Sequence, residues 1–97
     1  MKFKELAKKY LETAVERGGL ILFPPESALG VVQKCSELAI PVLGIDGFNI
    51  TVNTTQPDLE NSIDCSAFEE DTTYVKTIEF LNSRIDSNLY FEIICDM

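Results

Sequence analysis

Residues 40–53 read Ile-Pro-Val-Leu-Gly-Ile-Asp-Gly-Phe-Asn-Ile-Thr-Val-Asn, and no other stretch constrains the fold as strongly. Ile40 to Ile45 is an apolar run, after which Phe48, Ile50 and Val52 alternate with Asn49, Thr51 and Asn53. Strict alternation puts one side of an extended chain against a core and the other in water. Between the two runs stands Asp46-Gly47, a pair suited to a two-residue turn in which both positions take positive φ. The stretch therefore predicts a tight β-hairpin. Pro41 falls near the start of its first strand, where a missing N–H donor is tolerated.

The rest of the chain supplies the partners for that hairpin. In residues 2–17, Phe3, Leu6, Ala7, Tyr10, Leu11, Ala14 and Val15 recur at helical spacing, which predicts one amphipathic helix. Gly18-Gly19 gives it a left-handed stop. Leu20–Phe23 predicts a short buried strand ended by Pro24-Pro25, with Pro25 suited to the first turn of a second helix. That helix carries Ala28, Val31, Val32, Cys35, Leu38 and Ala39 on one face. Residues 54–70 keep no clean period, which predicts a long ordered loop with a helical turn near Pro57 to Asn61. From Asp71 as N-cap, a third helix turns Tyr74, Val75, Ile78, Leu81 and Ile85 inward. Leu89 to Cys95 is apolar on both parities except at Glu92 and predicts an interior strand.

The expected class is α/β: a single domain over residues 1–97 in the order α-β-α-β-β-α-β. Its sheet is expected to be mixed, of about four strands, and packed against three helices. Two helices stand between strands, and such crossovers favour parallel pairing with a right-handed connection.

Composition narrows the chemistry. The 97 residues carry a net charge of −8 and no histidine. The missing imidazole excludes Ser-His-Asp and Cys-His catalysis and any histidine-ligated metal site. A surface this acidic repels nucleic acid and anionic membranes. Cys35, Cys65 and Cys95 are odd in number with no close pair in the chain, which points to reduced thiols used as small apolar residues. Charges recur every few residues from Met1 to Lys9, and the longest apolar run, Leu20–Phe23, is far too short to span a bilayer. A cytoplasmic, non-catalytic protein without cofactor or metal is the expectation.

The charge is unevenly placed. Residues 1–17 hold five basic and three acidic groups, whereas residues 18–97 hold three basic and thirteen acidic ones. No Lys or Arg stands between Lys34 and Lys76, a span containing Glu37, Asp46, Asp58, Glu60, Asp64, Glu69, Glu70 and Asp71. Two readings stand: a solvated face that keeps the chain soluble, and a docking face for a cationic partner. On the second, Asp46, Asp58, Glu60, Asp64, Glu69, Glu70 and Asp71 are the candidate partner-binding residues.

Other motifs fail on their chemistry. Asp58, Glu60, Ser62, Asp64, Ser66 and Glu69 fall on the ligand positions of a twelve-residue calcium loop, but Ile63 stands where the sharp turn needs glycine. The neighbours Glu69 and Glu70 do not face a common substrate as a glycosidase pair would. Cys35 and Cys65 lack a histidine base.

The run Val42-Leu43-Gly44-Ile45-Asp46-Gly47-Phe48, followed by Gln56-Pro57 and Ser62-Ile63-Asp64, resembles small bacterial immunity proteins of polymorphic toxin systems, such as those of contact-dependent growth inhibition. The resemblance covers about residues 20–70. It implies a non-catalytic cytoplasmic protein that binds and neutralises a cognate toxin domain, often a nuclease. The alternative is a small acidic adaptor or ligand-sensing domain of a regulatory assembly.

Overall fold

The structure, a computed structural model, describes residues 3–96. The chain opens with one α-helical turn, α1 (Phe3–Leu6), and a 3₁₀ segment over Lys8–Thr13. There follow β1 (Val15–Arg17), β2 (Leu20–Leu22), α2 (Pro25–Glu37), β3 (Val42–Ile50), β4 (Thr55–Asp64), α3 (Glu70–Asn82) and β5 (Tyr90–Cys95). The class is mixed α/β, with five strands among the described residues in two sheets, β1-β2 and β4-β3-β5. Every strand pair is antiparallel, so the expected parallel crossovers and four-stranded mixed sheet are corrected.

The long first helix is corrected as well; its expected start at Lys2 lies outside the described residues. Past Leu6 the chain tightens into 3₁₀ and then extends, because Val15–Arg17 finds a ladder against Leu20–Leu22. Gly18 and Gly19, at φ 56° and 85°, make the two-residue turn of that hairpin rather than a helix stop. Thr13 Oγ1 anchors the segment at 2.6 Å from Ser27 Oγ on α2. Beyond β2, Phe23 exchanges two backbone hydrogen bonds of 2.8 Å with Phe91, which joins the hairpin to the free side of β5.

One apolar core lies between the helices and the sheet. Phe23, Val31, Val32, Cys35, Ile45, Leu81 and Phe91 are fully buried there. Phe80 meets Phe91 edge to face at 5.8 Å between ring centres. Pro25 opens α2 as expected, but the helix ends before Leu38, and Ala39 turns the chain at φ 55°. On α3 the buried residues are Thr73, Thr77, Phe80 and Leu81, whereas Val75 and Ile85 are exposed, which corrects the expected inward face. The buried threonines fit because each hydroxyl donates to a carbonyl of the preceding turn, Thr77 to Thr73 at 2.8 Å and Thr73 to Glu69 at 3.1 Å.

The largest correction concerns residues 40–70. Asp46-Gly47 is no turn: β3 runs unbroken through it as the central strand. The reversal comes at Thr51–Thr54, closed by Thr51 N–H donating to the Thr54 carbonyl at 2.9 Å. The expected loop is β4, an edge strand on which Pro57 is tolerated. Between the pairs Ile45↔Ile63 and Gly47↔Asp58, β3 advances two residues while β4 advances five. The surplus forms a wide bulge.

Side chains repair the ladder at that bulge. Ser62 Oγ accepts the Gly47 N–H at 3.0 Å and donates to the Asp58 carbonyl at 2.8 Å. The Asp58 carboxylate accepts from Asn49 Nδ2, Asn61 Nδ2 and the Glu60 N–H at 3.0, 2.9 and 3.2 Å. Arg84, just past α3, donates from Nε to Asn61 Oδ1 at 2.7 Å and lies 4.0 Å from the centre of the Phe80 ring. The bulge is thus tied to the end of a helix on the other side of the core. Gly47 is glycine because a Cβ there would run into the Asn61 carbonyl oxygen. At Gly44 the nearest backbone atom, the Ile63 oxygen, stands 3.0 Å from a built Cβ. Gly47→Ala should therefore cost about 2–3 kcal/mol and Gly44→Ala clearly less, both read from urea midpoints at an unchanged slope.

Candidate functional site

With the helices on one side of the sheet, the strand residues of opposite parity form its other face. On β5 these are Tyr90, Glu92 and Ile94; on β3 they are Gly44, Asp46 and Phe48. Toward the hairpin tip this face is covered, and Phe48 is buried. Toward the other end it is open. Leu43, Gly44, Asp46, Leu59, Asp64 and Ile94 line a shallow depression with no lysine or arginine in its wall. Three of these side chains are apolar and accessible: Leu43 at 44%, Leu59 at 87% and Ile94 at 37% of full exposure. They form an accessible apolar patch rimmed by carboxylates.

Asp46 stands directly opposite Glu92 across the β3–β5 ladder. Like charges so placed repel. The Glu92 carboxyl titrates above its ordinary 4.5 because it is half-buried, and because Asp46 lies beside it. Asp64 differs: the N–H of Ser66, 2.9 Å from Oδ1, and the Ser66 hydroxyl hold its carboxyl below the usual range. It stays charged at the mouth of the depression.

The seven expected partner-binding acids thus fall into three groups. Asp46 and Asp64 share the open face. Glu69, Glu70 and Asp71 cluster at the start of α3, where negative charge also favours the helix dipole. Glu70 lines a second pocket of about 180 Å³ with Pro41, Leu43, Phe68 and Tyr74, so Leu43 is a wall common to both hollows. Asp58 and Glu60 belong to the bulge; hydrogen bonds from Asn61 and Asn49 hold the Asp58 carboxyl below its ordinary range. Asp58 is committed to building the edge of the sheet. Glu92, the acid that sequence reasoning missed, was signalled by its place as the one charge in the apolar run 89–95.

The twelve-residue register from Asp58 to Glu69 is largely strand, not a loop. Among the described residues no three His, Cys, Asp or Glu side chains gather to hold a metal ion. Neither ion pair found there, Lys4–Glu16 at 3.9 Å and Lys34–Glu37 at 3.7 Å, involves an acid between residues 46 and 71. No described helix is long and apolar enough to cross a membrane. No protein-family model matches the chain, and no curated protein matches it.

The Glu92 environment has a pH signature. Its folded pKa lies above the unfolded value, so ionising it costs stability as pH rises through the folded pKa, and the cost vanishes below both. Glu92→Gln should stabilise the protein at about pH 7, by about 0.2–1 kcal/mol, and the gain should shrink toward zero near pH 4. Thermal melts at the two pH values measure it.

Proposed function

We propose that the chain is a non-catalytic immunity-type protein that neutralises a cationic toxin domain, of nuclease type, by occluding it in the cytoplasm. The observation that carries this reading is the open sheet face. Leu43, Leu59 and Ile94 supply apolar contact there, Asp46 and Asp64 supply negative charge in a wall without lysine or arginine, and Glu92 stands opposite Asp46. Polyanion-processing enzymes present positive clefts, and carboxylates facing such a cleft speed encounter and select the partner. Glu69, Glu70 and Asp71 extend the same charge past Leu43 toward α3. A standard interface of about 1,600 Å² in total would span both hollows. The resemblance of residues 42–48 to immunity proteins points the same way.

A ligand-sensing role has less support. The pocket beside α3 holds about 180 Å³, below the roughly 300–1,000 Å³ of drug-sized ligand sites, and the hollows of about 400–720 Å³ are open surface depressions rather than enclosed cavities.

The test is co-expression with a candidate cationic toxin domain from a neighbouring reading frame, followed by binding kinetics; a gene neighbourhood that encodes none counts against the proposal. Asp46→Lys with Asp64→Lys should slow association about tenfold or more at low salt and flatten its salt dependence. Leu59→Ala should act on the dissociation rate instead. Asp58→Lys, by contrast, should lower the urea midpoint, because it breaks the bulge. Failure of the wild-type chain to rescue growth, or an association rate indifferent to the first two changes, overturns the proposal.

A further inference from the structure

The hollow beside α3 lies between the start of β3, the loop that follows β4 and the first turns of α3. Val42, Cys65 and Thr73, all buried, form its floor. Leu43 and Phe68 stand in its wall, partly open to solvent. Glu70 and Tyr74 fall at i and i+4, on one side of the helix, and bring a carboxylate and a phenol ring to the same wall. That wall holds no lysine or arginine, and neither ion pair among the described residues includes Glu70. We infer that this hollow seats one arginine side chain of a protein partner, its methylenes against Phe68 and Leu43 and its guanidinium on the Glu70 carboxylate. The inference rests on the immunity-type reading for the partner, and names a contact which that reading leaves open.

The hydrogen-bonding groups of the wall select a donor. Tyr74 Oη donates to the Ile40 carbonyl at 2.6 Å, and Thr73 Oγ1 donates to the Glu69 carbonyl at 3.1 Å. In the loop, the N–H groups of Cys65, Ser66 and Phe68 donate to the Leu43 carbonyl, Asp64 Oδ1 and the Cys65 carbonyl at 3.0, 2.9 and 3.1 Å. These donors are spent within the protein, so an anion would find few partners here. Glu70 offers the opposite, acceptor oxygens that carry a charge. Its carboxylate acts on the inner wall: burial first, and then the Glu70 charge, push the Tyr74 phenol above its ordinary range.

The same wall separates arginine from other occupants. A purely apolar side chain would cover the floor but take water from the carboxylate without pairing it. A lysine ammonium is compact and strongly hydrated. A guanidinium is planar and more weakly hydrated, stacks on aromatic rings, and meets a carboxylate with two parallel N–H bonds. The arginine stem is apolar and suits the floor. A volume of about 180 Å³ leaves room for one side chain rather than a folded segment. The internal hydrogen bonds of the loop hold the hollow in shape before anything enters, which lowers the cost of binding. Leu43 belongs to this hollow and to the open sheet face, so the seat adjoins the rest of the proposed interface.

The test needs no toxin. The full chain, isotopically labelled for NMR, is titrated with N-acetyl-arginine methylamide and with the corresponding lysine and citrulline compounds. The arginine compound should shift the amide signals of Leu43, Cys65, Phe68 and Tyr74 saturably, with roughly millimolar affinity. The lysine compound, and citrulline, which keeps the shape without the charge, should each bind about fivefold more weakly or worse. Glu70→Gln should weaken arginine binding about fivefold or more, and Phe68→Ala about threefold. Glu79→Gln, which removes the same charge from α3 outside the hollow, should change it less than about twofold. Absence of a saturable shift, shifts spread over the acids of the sheet face, equal binding of the three compounds, or equal effects of Glu70→Gln and Glu79→Gln overturns the inference. Kinetics with a toxin domain then part the two readings. Arginine binding without toxin rescue sinks the immunity reading and leaves the seat standing, whereas a toxin complex whose dissociation rate ignores Glu70→Gln overturns the seat alone.

Discussion

The tie between β4 and the end of α3 is the constraint on which the sheet depends. The bulge interrupts the β3–β4 ladder between Ile45 and Gly47, and a strand edge left in that state would expose unpaired backbone groups. Ser62 replaces the lost acceptor, Asp58 gathers three donors, and Asn61 passes the connection to Arg84. A long edge strand can therefore cross the sheet out of register and still finish at Asp64 beside the central strand. The position of Asp64, and with it the mouth of the open face, is inherited from this repair.

What was legible in the sequence were the elements whose period survives. The α2 stripe from Ala28 to Cys35, its proline start, the presence of a third helix and the strand ending at Cys95 follow from spacing and residue type, whereas the face that α3 buries does not. β4 was not legible, because a surplus of residues in mid-strand destroys the twofold alternation by which strands are known. The N-terminal segment misled for the opposite reason. Its apolar positions fit a helical period, yet a short hairpin ladder and the seating of Phe23 on β5 outweigh local preference.

The two glycine signals were exchanged. Gly18-Gly19 and Asp46-Gly47 each mark a place where a side chain is unwelcome, but for different causes. At Gly18 and Gly19 the backbone turns left-handed; at Gly47 an extended strand passes close to a neighbouring carbonyl. Sequence alone does not separate a glycine that bends from a glycine that yields room. The candidate site was half legible in the same way: the acids stood out as a run, but only strand register distinguishes Asp46, which faces outward, from Asp58, which builds the edge.

The backbone pairing that joins the N-terminal hairpin to the main sheet is Phe23 with Phe91, and Arg17 of β1 reaches Thr54 and Thr55 at the far end of β3 and β4. Two amide bonds hold the pair, Arg17 adds two long contacts of 3.3 Å, and both phenyl rings are fully buried. Apolar burial loses strength in the cold, whereas the β3–β5 ladder has a full row of amide bonds to rely on. Chilling therefore strains this seam before the rest of the sheet, and the first hydrogens to exchange faster near freezing belong to the hairpin.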